Sequence, residues 1–295
     1  MKILSSFKPA ETLTLTFILF LVLISSLFHK SILGFKGLIL LYLSLFLVQL
    51  LLAGAYGLSR RSRVIEMVRA VIFPVIAVLV IFDSLGVIIH SINPKDIDPF
   101  LIRLDYLIFR GYPTVMIESI QSPLLTDILQ AAYSTYYFIP ISFCVMLKLQ
   151  GREAAFDRSV FLILLCFYLS YAGYMLLPAL GPRYTMHHLQ TKDMDGLFLA
   201  EPVRRTLDTL EGIKRDAFPS GHTAVALVVS RLSYRFHKGY FLVTAPVIAM
   251  LIFSTVYCRY HYAVDVMGGI FLMLMTFFIG DRCYNYWEVR NSTHR

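Results

Sequence analysis

Pro219-Ser220-Gly221-His222-Thr223-Ala224 opens an apolar run, and Tyr257-Cys258-Arg259-Tyr260-His261-Tyr262-Ala263-Val264-Asp265 follows it, with His261 39 positions after His222. Both stretches fall at the ends of segments apolar enough to cross a bilayer. An ionisable side chain at that level needs a partner, so two histidines and an acid there point to a functional site. Histidine exchanges protons near neutral pH and can attack phosphorus. Asp265, four residues after His261, is expected on the same helix face, where it can hold a ring N–H.

Composition agrees with a membrane location. Of the 295 residues 57% are hydrophobic and 16% charged, and the mean hydropathy is +0.67. A soluble domain carries about 25% charged residues. The 23 Phe and 18 Tyr suit interfacial belts. A net charge of +8 could mark a nucleic-acid binder, but basic residues retained on one side of a bilayer account for it, and no nucleic-acid partner is expected. Cys144, Cys166, Cys258 and Cys283 form no CxxC pair, so neither a disulfide nor a zinc site is read.

Working outward along the chain gives an all-α polytopic protein of about eight transmembrane helices. Two N-terminal spans, near 13–28 and 35–53, form a first unit over 1–66. A catalytic membrane unit over 67–282 carries spans near 70–90, 131–149, 159–177, 220–236, 241–260 and 262–279. A cytoplasmic tail over 283–295 ends the chain. The sixth span is short for a hydrocarbon core about 30 Å thick. Asp83, inside the third span, is either functional or bonded to a neighbouring helix. Between 91 and 130 the sequence reads as interfacial helices, with Arg103, Asp105 and Arg110 on a polar side, suited to a lid or lateral entrance. A polar segment over 179–218 holds a short helix near 202–211 and the pair His187-His188, read as a solvated turn.

Charge sets the orientation. The N-terminus, the loops near 60–69, 148–158 and 231–238, and the tail hold 15 of the 27 Lys+Arg but 6 of the 19 Asp+Glu. The opposite side is balanced, so the positive-inside rule puts both termini in the cytoplasm. Arg183, His222, His261 and Asp265 then share the far side. The expected location is the inner membrane of a bacterium, with the active site extracytoplasmic.

Ser220 has the chemistry of an N-cap. Gly221 and His222 then fall in a first turn whose N–H groups have no intrahelical acceptor and favour an anion. Alone, this tetrapeptide is equally an ordinary cap with an interfacial histidine. The second stretch changes that, because His261 and Asp265 supply a ring with an orienting carboxylate. Gly268-Gly269 lets helices approach closely.

PSGH with a downstream HxxxD in the last two helices resembles the type 2 phosphatidic acid phosphatase superfamily of membrane lipid phosphatases and phosphotransferases. The form RYHYAVDVMGG is similar to the branch with inositol phosphorylceramide and sphingomyelin synthases. The resemblance implies a six-helix core, with His261 as the nucleophile that becomes phosphohistidine, Asp265 as its orienter and His222 as the acid for the leaving group. Arg183 is implied as a phosphate clamp, and Ser220, Gly221, Lys214, Arg215 and Arg259 are the further phosphate-binding candidates. Two departures stand out. Leu176 occupies the place of the family's lysine, for which Lys214 or Arg215 could substitute, and Thr255 occupies that of an arginine.

The expected function is therefore a metal-independent lipid phosphatase acting on a phospholipid or isoprenoid phosphate, with water as acceptor and no cofactor. The alternative is transfer of a phospho-alcohol headgroup such as phosphoinositol to an alcohol. A lipid transporter or binding protein is the non-enzymatic reading. It is disfavoured because no internal repeat is visible.

Overall fold

A computed structural model describes residues 7–58, 62–210 and 213–292. Lys2, Arg60, Arg61 and Glu211 lie outside them. The helices are α1 (Pro9–Leu27), α2 (Phe35–Leu58), α3 (Arg63–Ile92), α4 (Asp98–Phe109), α5 (Pro123–Ser134), α6 (Ile139–Leu149), α7 (Glu153–Leu176), α8 (Ala200–Leu210), α9 (Gly221–Phe236), α10 (Lys238–Tyr257) and α11 (Ala263–Ser292). The described residues contain no strand. Six helices, α1, α2, α3, α7, α10 and α11, are long and apolar enough to cross a bilayer, and α5 with α6, bent by 48°, make a seventh. The expected sixth span is α9, at 16 residues the short helix the sequence implies.

α7 is the axis of the bundle. It packs against α1, α3, α6, α9 and α11, and 72% of its apolar window is buried, against 33% for α1. A helix that is hydrophobic all round fits such a central place. The two extra N-terminal spans are fixed by polar pins, since hydrocarbon gives no hydrophobic drive for helices to associate. Glu11 pairs with the buried Arg69, Lys8 Nζ lies 2.7 Å from Asp157, and Thr14 and Tyr42 bond the hydroxyls of Tyr168 and Ser84. Asp83 is on an exposed face of α3.

In α4 the expected polar side is split, with Arg103 exposed and Asp105 turned inward. Asp98 and Asp105 are buried with Leu101, while Phe100, Tyr106, Leu107, Ile108 and Phe109 are exposed. At a membrane surface the apolar face meets lipid and the carboxylates find donors inside the protein. Segment 91–130 is therefore a scaffold under the site rather than only a cover over it.

Candidate active site

Each carboxylate between 91 and 130 grips a different part of the loops that carry the site. Asp96 pairs with Arg215 at 2.7 Å. Asp98 accepts the N–H groups of Leu180 and Gly181 at 2.9 and 2.8 Å and the Tyr262 hydroxyl at 2.7 Å. Asp105 accepts from Ala263 and Val264 at 3.1 and 2.9 Å, capping α11 from outside. Burial pushes the Asp105 carboxyl up, and those two backbone donors oppose the shift. Glu118 holds Thr191 and Arg259, and Asp127 accepts four consecutive N–H groups, Leu197 to Ala200, at the start of α8.

Gly181 (φ +90°) makes the turn into Pro182-Arg183, and a Cβ on it would come 2.5 Å from the Tyr260 carbonyl oxygen. Glycine is required there. The Arg183 N–H then donates to the Arg259 carbonyl at 2.9 Å. The two halves of the site are stitched elsewhere as well, since Ser220 N–H donates to the Asp265 carbonyl at 3.1 Å. α11 lies against this turn because a Cβ on Gly269 would be 2.6 Å from the Ser220 carbonyl oxygen.

His261 sits in the turn before α11 rather than in its first turn, and it is 3% exposed. Its Nδ1 is 2.7 Å from the Ala217 carbonyl and 3.4 Å from Asp265 Oδ2. A carbonyl can only accept, so Nδ1 carries the proton and Nε2 keeps a lone pair. The primary orienter is thus a backbone oxygen. Asp265 Oδ2 is taken by the Tyr262 N–H at 2.8 Å, with the ring as its more distant neighbour. Burial lowers the His261 pKa, opposed by Asp216 and by the bond to Ala217.

The Nε2 of His261 faces His222 Nδ1 at 3.4 Å. His222 lies between the rings of Tyr133 and Tyr136, with centroids at 4.5 and 4.1 Å, and Tyr133 stacks on Tyr260 at 4.3 Å. His222 Nε2 is buried without a hydrogen-bond partner. A cavity of about 240 Å³ adjoins His261 and is lined also by Arg183, Lys214, Asp216, Tyr133, Tyr184 and Tyr260.

The sequence candidates therefore separate. Arg183, Lys214 and His261 meet at one cavity, with His222 and Asp265 beside the His261 ring. Arg215 and Arg259 are held by Asp96 and Glu118, as cations beside buried carboxylates tend to be. Ser220 caps Thr223, and the Cβ position of Gly221 is occupied by the Tyr174 hydroxyl. Both residues thus make capping and packing contacts, and neither lines the cavity beside His261. His187 and His188 are exposed.

Sequence reasoning missed Asp216 and the tyrosine stack. Asp216 stood three residues before Pro219 in plain view, but an acid next to an expected phosphate carries no pattern that marks it. Tyr133 and Tyr136, three apart, had a helical spacing that reads equally as core.

Residues 102–279 match the family model of the PAP2 superfamily. A PA-phosphatase related-family protein of Dictyostelium discoideum is 24% identical over 173 residues, which is 52% of this chain and 31% of that protein. The chain thus spans about a third of the length of the curated relative it matches. No solved structure matches it.

Proposed function

The chain belongs to the PAP2 superfamily, and from that premise we propose that it is an integral-membrane lipid phosphatase working through a phosphohistidine on His261. One observation carries the reading. The Ala217 carbonyl holds His261 Nδ1–H at 2.7 Å, leaving a nucleophilic lone pair beside His222 in a cavity that also receives Arg183 and Lys214.

The chemistry balances on side chains alone. His261 Nε2 attacks phosphorus, the ester P–O bond breaks, and His222 gives a proton to the leaving lipid oxygen. Water then attacks the phosphohistidine, returning a proton to His222 and releasing phosphate. Arg183 and Lys214 neutralise the non-bridging oxygens, and Lys214 takes the work of the lysine for which Leu176 stands. The charge asymmetry supports an extracytoplasmic site with both termini in the cytoplasm.

Rapid quench with a labelled lipid phosphomonoester tests the mechanism, the expected result being acid-labile label on His261. Stable label elsewhere, or turnover in a His261→Ala protein, would overturn it. Sidedness is tested with single cysteines at Gln190 and Lys238 in a background free of native cysteines. An impermeant thiol reagent on intact cells should label the first and spare the second.

Asp216 favours a second reading, transfer of a phospho-alcohol headgroup. A carboxylate at the cavity repels a phosphomonoester dianion more than a diester monoanion. Free phosphate released from a monoester without added alcohol supports hydrolysis. Inertness toward monoesters, with headgroup transfer from a diester to inositol or ceramide, supports the alternative.

A further inference from the structure

A second cavity begins at His222 and Asp216 and runs away from the basic one. Its outer end is bordered by tyrosines, including Tyr174, and beyond them the walls are hydrocarbon. α3 contributes one wall, from Phe82 inward through Val78 to Ala70, and α7 another, from Tyr174 inward through Phe167 to Val160. The helices run parallel here, so both walls descend from the site toward the opposite face of the bundle. Leu79, 48% exposed, lies on one edge, so the groove can be entered sideways from lipid.

The inner end is different in kind. Ala70, Pro74 and Val160 also border a small neighbouring cavity whose other walls include Lys8, Glu11, Asp157, Arg69 and Gln49. Glu11 and Arg69 are ion-paired and 6% and 4% exposed. The groove therefore starts at the catalytic acid and stops at a buried ion pair.

We propose that this groove holds one extended hydrocarbon tail of the lipid whose phosphate reaches His261, and that the Glu11–Arg69 pair limits the length of tail it accepts. The proposal rests on the phosphatase reading for the identity of the ligand. Two observations and one physical argument support it. His222 joins the two cavities, with Nδ1 facing His261 and an Nε2 that is buried and unpartnered. Asp216 borders both cavities. A methyl end pushed against a buried ion pair must displace groups that are costly to strip of their partners, so the floor is a hard stop.

Length follows from the helix. From Val160 to Tyr174 α7 rises about 21 Å, which is room for roughly 17 carbon–carbon bonds at the rise of about 1.2 Å per bond of a fully extended chain. The ruler is supplied in part by α1, which lies outside residues 102–279. The extra first helix thereby acquires a role in substrate choice.

The test is a tail-length series of single-tailed alkyl phosphates, from octyl to eicosyl, in detergent micelles of fixed composition. In the native protein kcat/KM should rise to a maximum near hexadecyl and then fall. Ala70→Phe should shorten the preferred tail, since losing the contacts of two methylenes changes kcat/KM about tenfold. Glu11→Leu with Arg69→Met removes both charges together, so neither is left unpaired, and should move the maximum to longer tails. A flat series, or a maximum that neither variant moves, overturns the proposal.

A binding readout separates it from the chemistry and covers variants that do not fold. Hexadecyl phosphate with a terminal diazirine should label native peptides containing Ala70, Val160 or Glu11, and the decyl analogue should label those of Phe82 or Phe167. Labelling confined to the lipid-facing residues of α2 or α10 overturns the groove. Labelling at its floor in a protein that turns over no monoester would retain the groove and remove the phosphatase reading.

Discussion

In segment 91–130 every carboxylate is turned onto backbone donors or basic side chains of the site loops, whereas Arg183, Lys214 and Asp216 of the loops themselves line the cavity. Both regions meet at one face of the bundle. One supplies fixed acceptors that decide where the loops go, and the other supplies the charges a phosphate would meet. The difference separates position from chemistry. Removing a cavity group should cost rate and spare the fold, while removing a scaffold acid should cost both.

The largest effect tests the chemistry side. His261→Asn keeps an N–H for Ala217 but has no nucleophile, so activity should drop by about 10⁴-fold or more with little change in thermal stability. Comparable losses in stability would mean that His261 is as much scaffold as reagent. Lys214→Gln should lower kcat/KM by about 10²-fold through lost charge at the phosphate. Its melting temperature should stay at the native value, and a fall there would erase the distinction.

Asp98→Ala is the opposite case. It strands the N–H groups of Leu180 and Gly181, at about 1–3 kcal/mol for each buried group left unpaired, while the Tyr262 hydroxyl keeps Thr185. Denaturation in detergent should show the loss, and activity should fall with it. Native stability in this variant would break the assignment of Asp98 to the scaffold.

A pH profile sharpens the reading of Asp216. On the proposed mechanism His261 must be neutral at Nε2 to attack, and burial lowers its pKa below the usual value of about 6.5. The acid limb for an activated diester should therefore lie below that value. Asp216 favours the protonated ring, so Asp216→Asn should move the limb to still lower pH. Movement to higher pH would show that Asp216 does not act on His261. The smallest effect is expected from Asp127→Ala, which unpins α8 without touching the cavity. Proteolysis near Leu199 should quicken while kcat/KM changes less than about twofold.

The parts legible in sequence were those with local signals. Apolar runs marked the spans, and the histidines with Asp265 stood out because charge is rare at that depth. The scaffold was not legible, since Asp98 and Tyr262 are 164 positions apart and Arg259 and Glu118 are 141 apart. Nothing in the periodicity of α4 says that its acids point inward. The short form of α9 was visible in its length, but the packing of Gly221 against the Tyr174 hydroxyl depends on a residue of another helix.

The cap that Asp105 provides for α11 has a consequence for biosynthesis. The carboxylate emerges 158 residues before the Ala263 N–H it binds, an interval of about 8–30 s at ordinary elongation rates of roughly 5–20 residues per second. Asp98 waits similarly for Tyr262. Until the last helix inserts, His261 has neither Asp265 behind it nor a capped α11 beside it. A half-made chain in the membrane thus holds no assembled site, and His261 meets its partners only once the final span is in place.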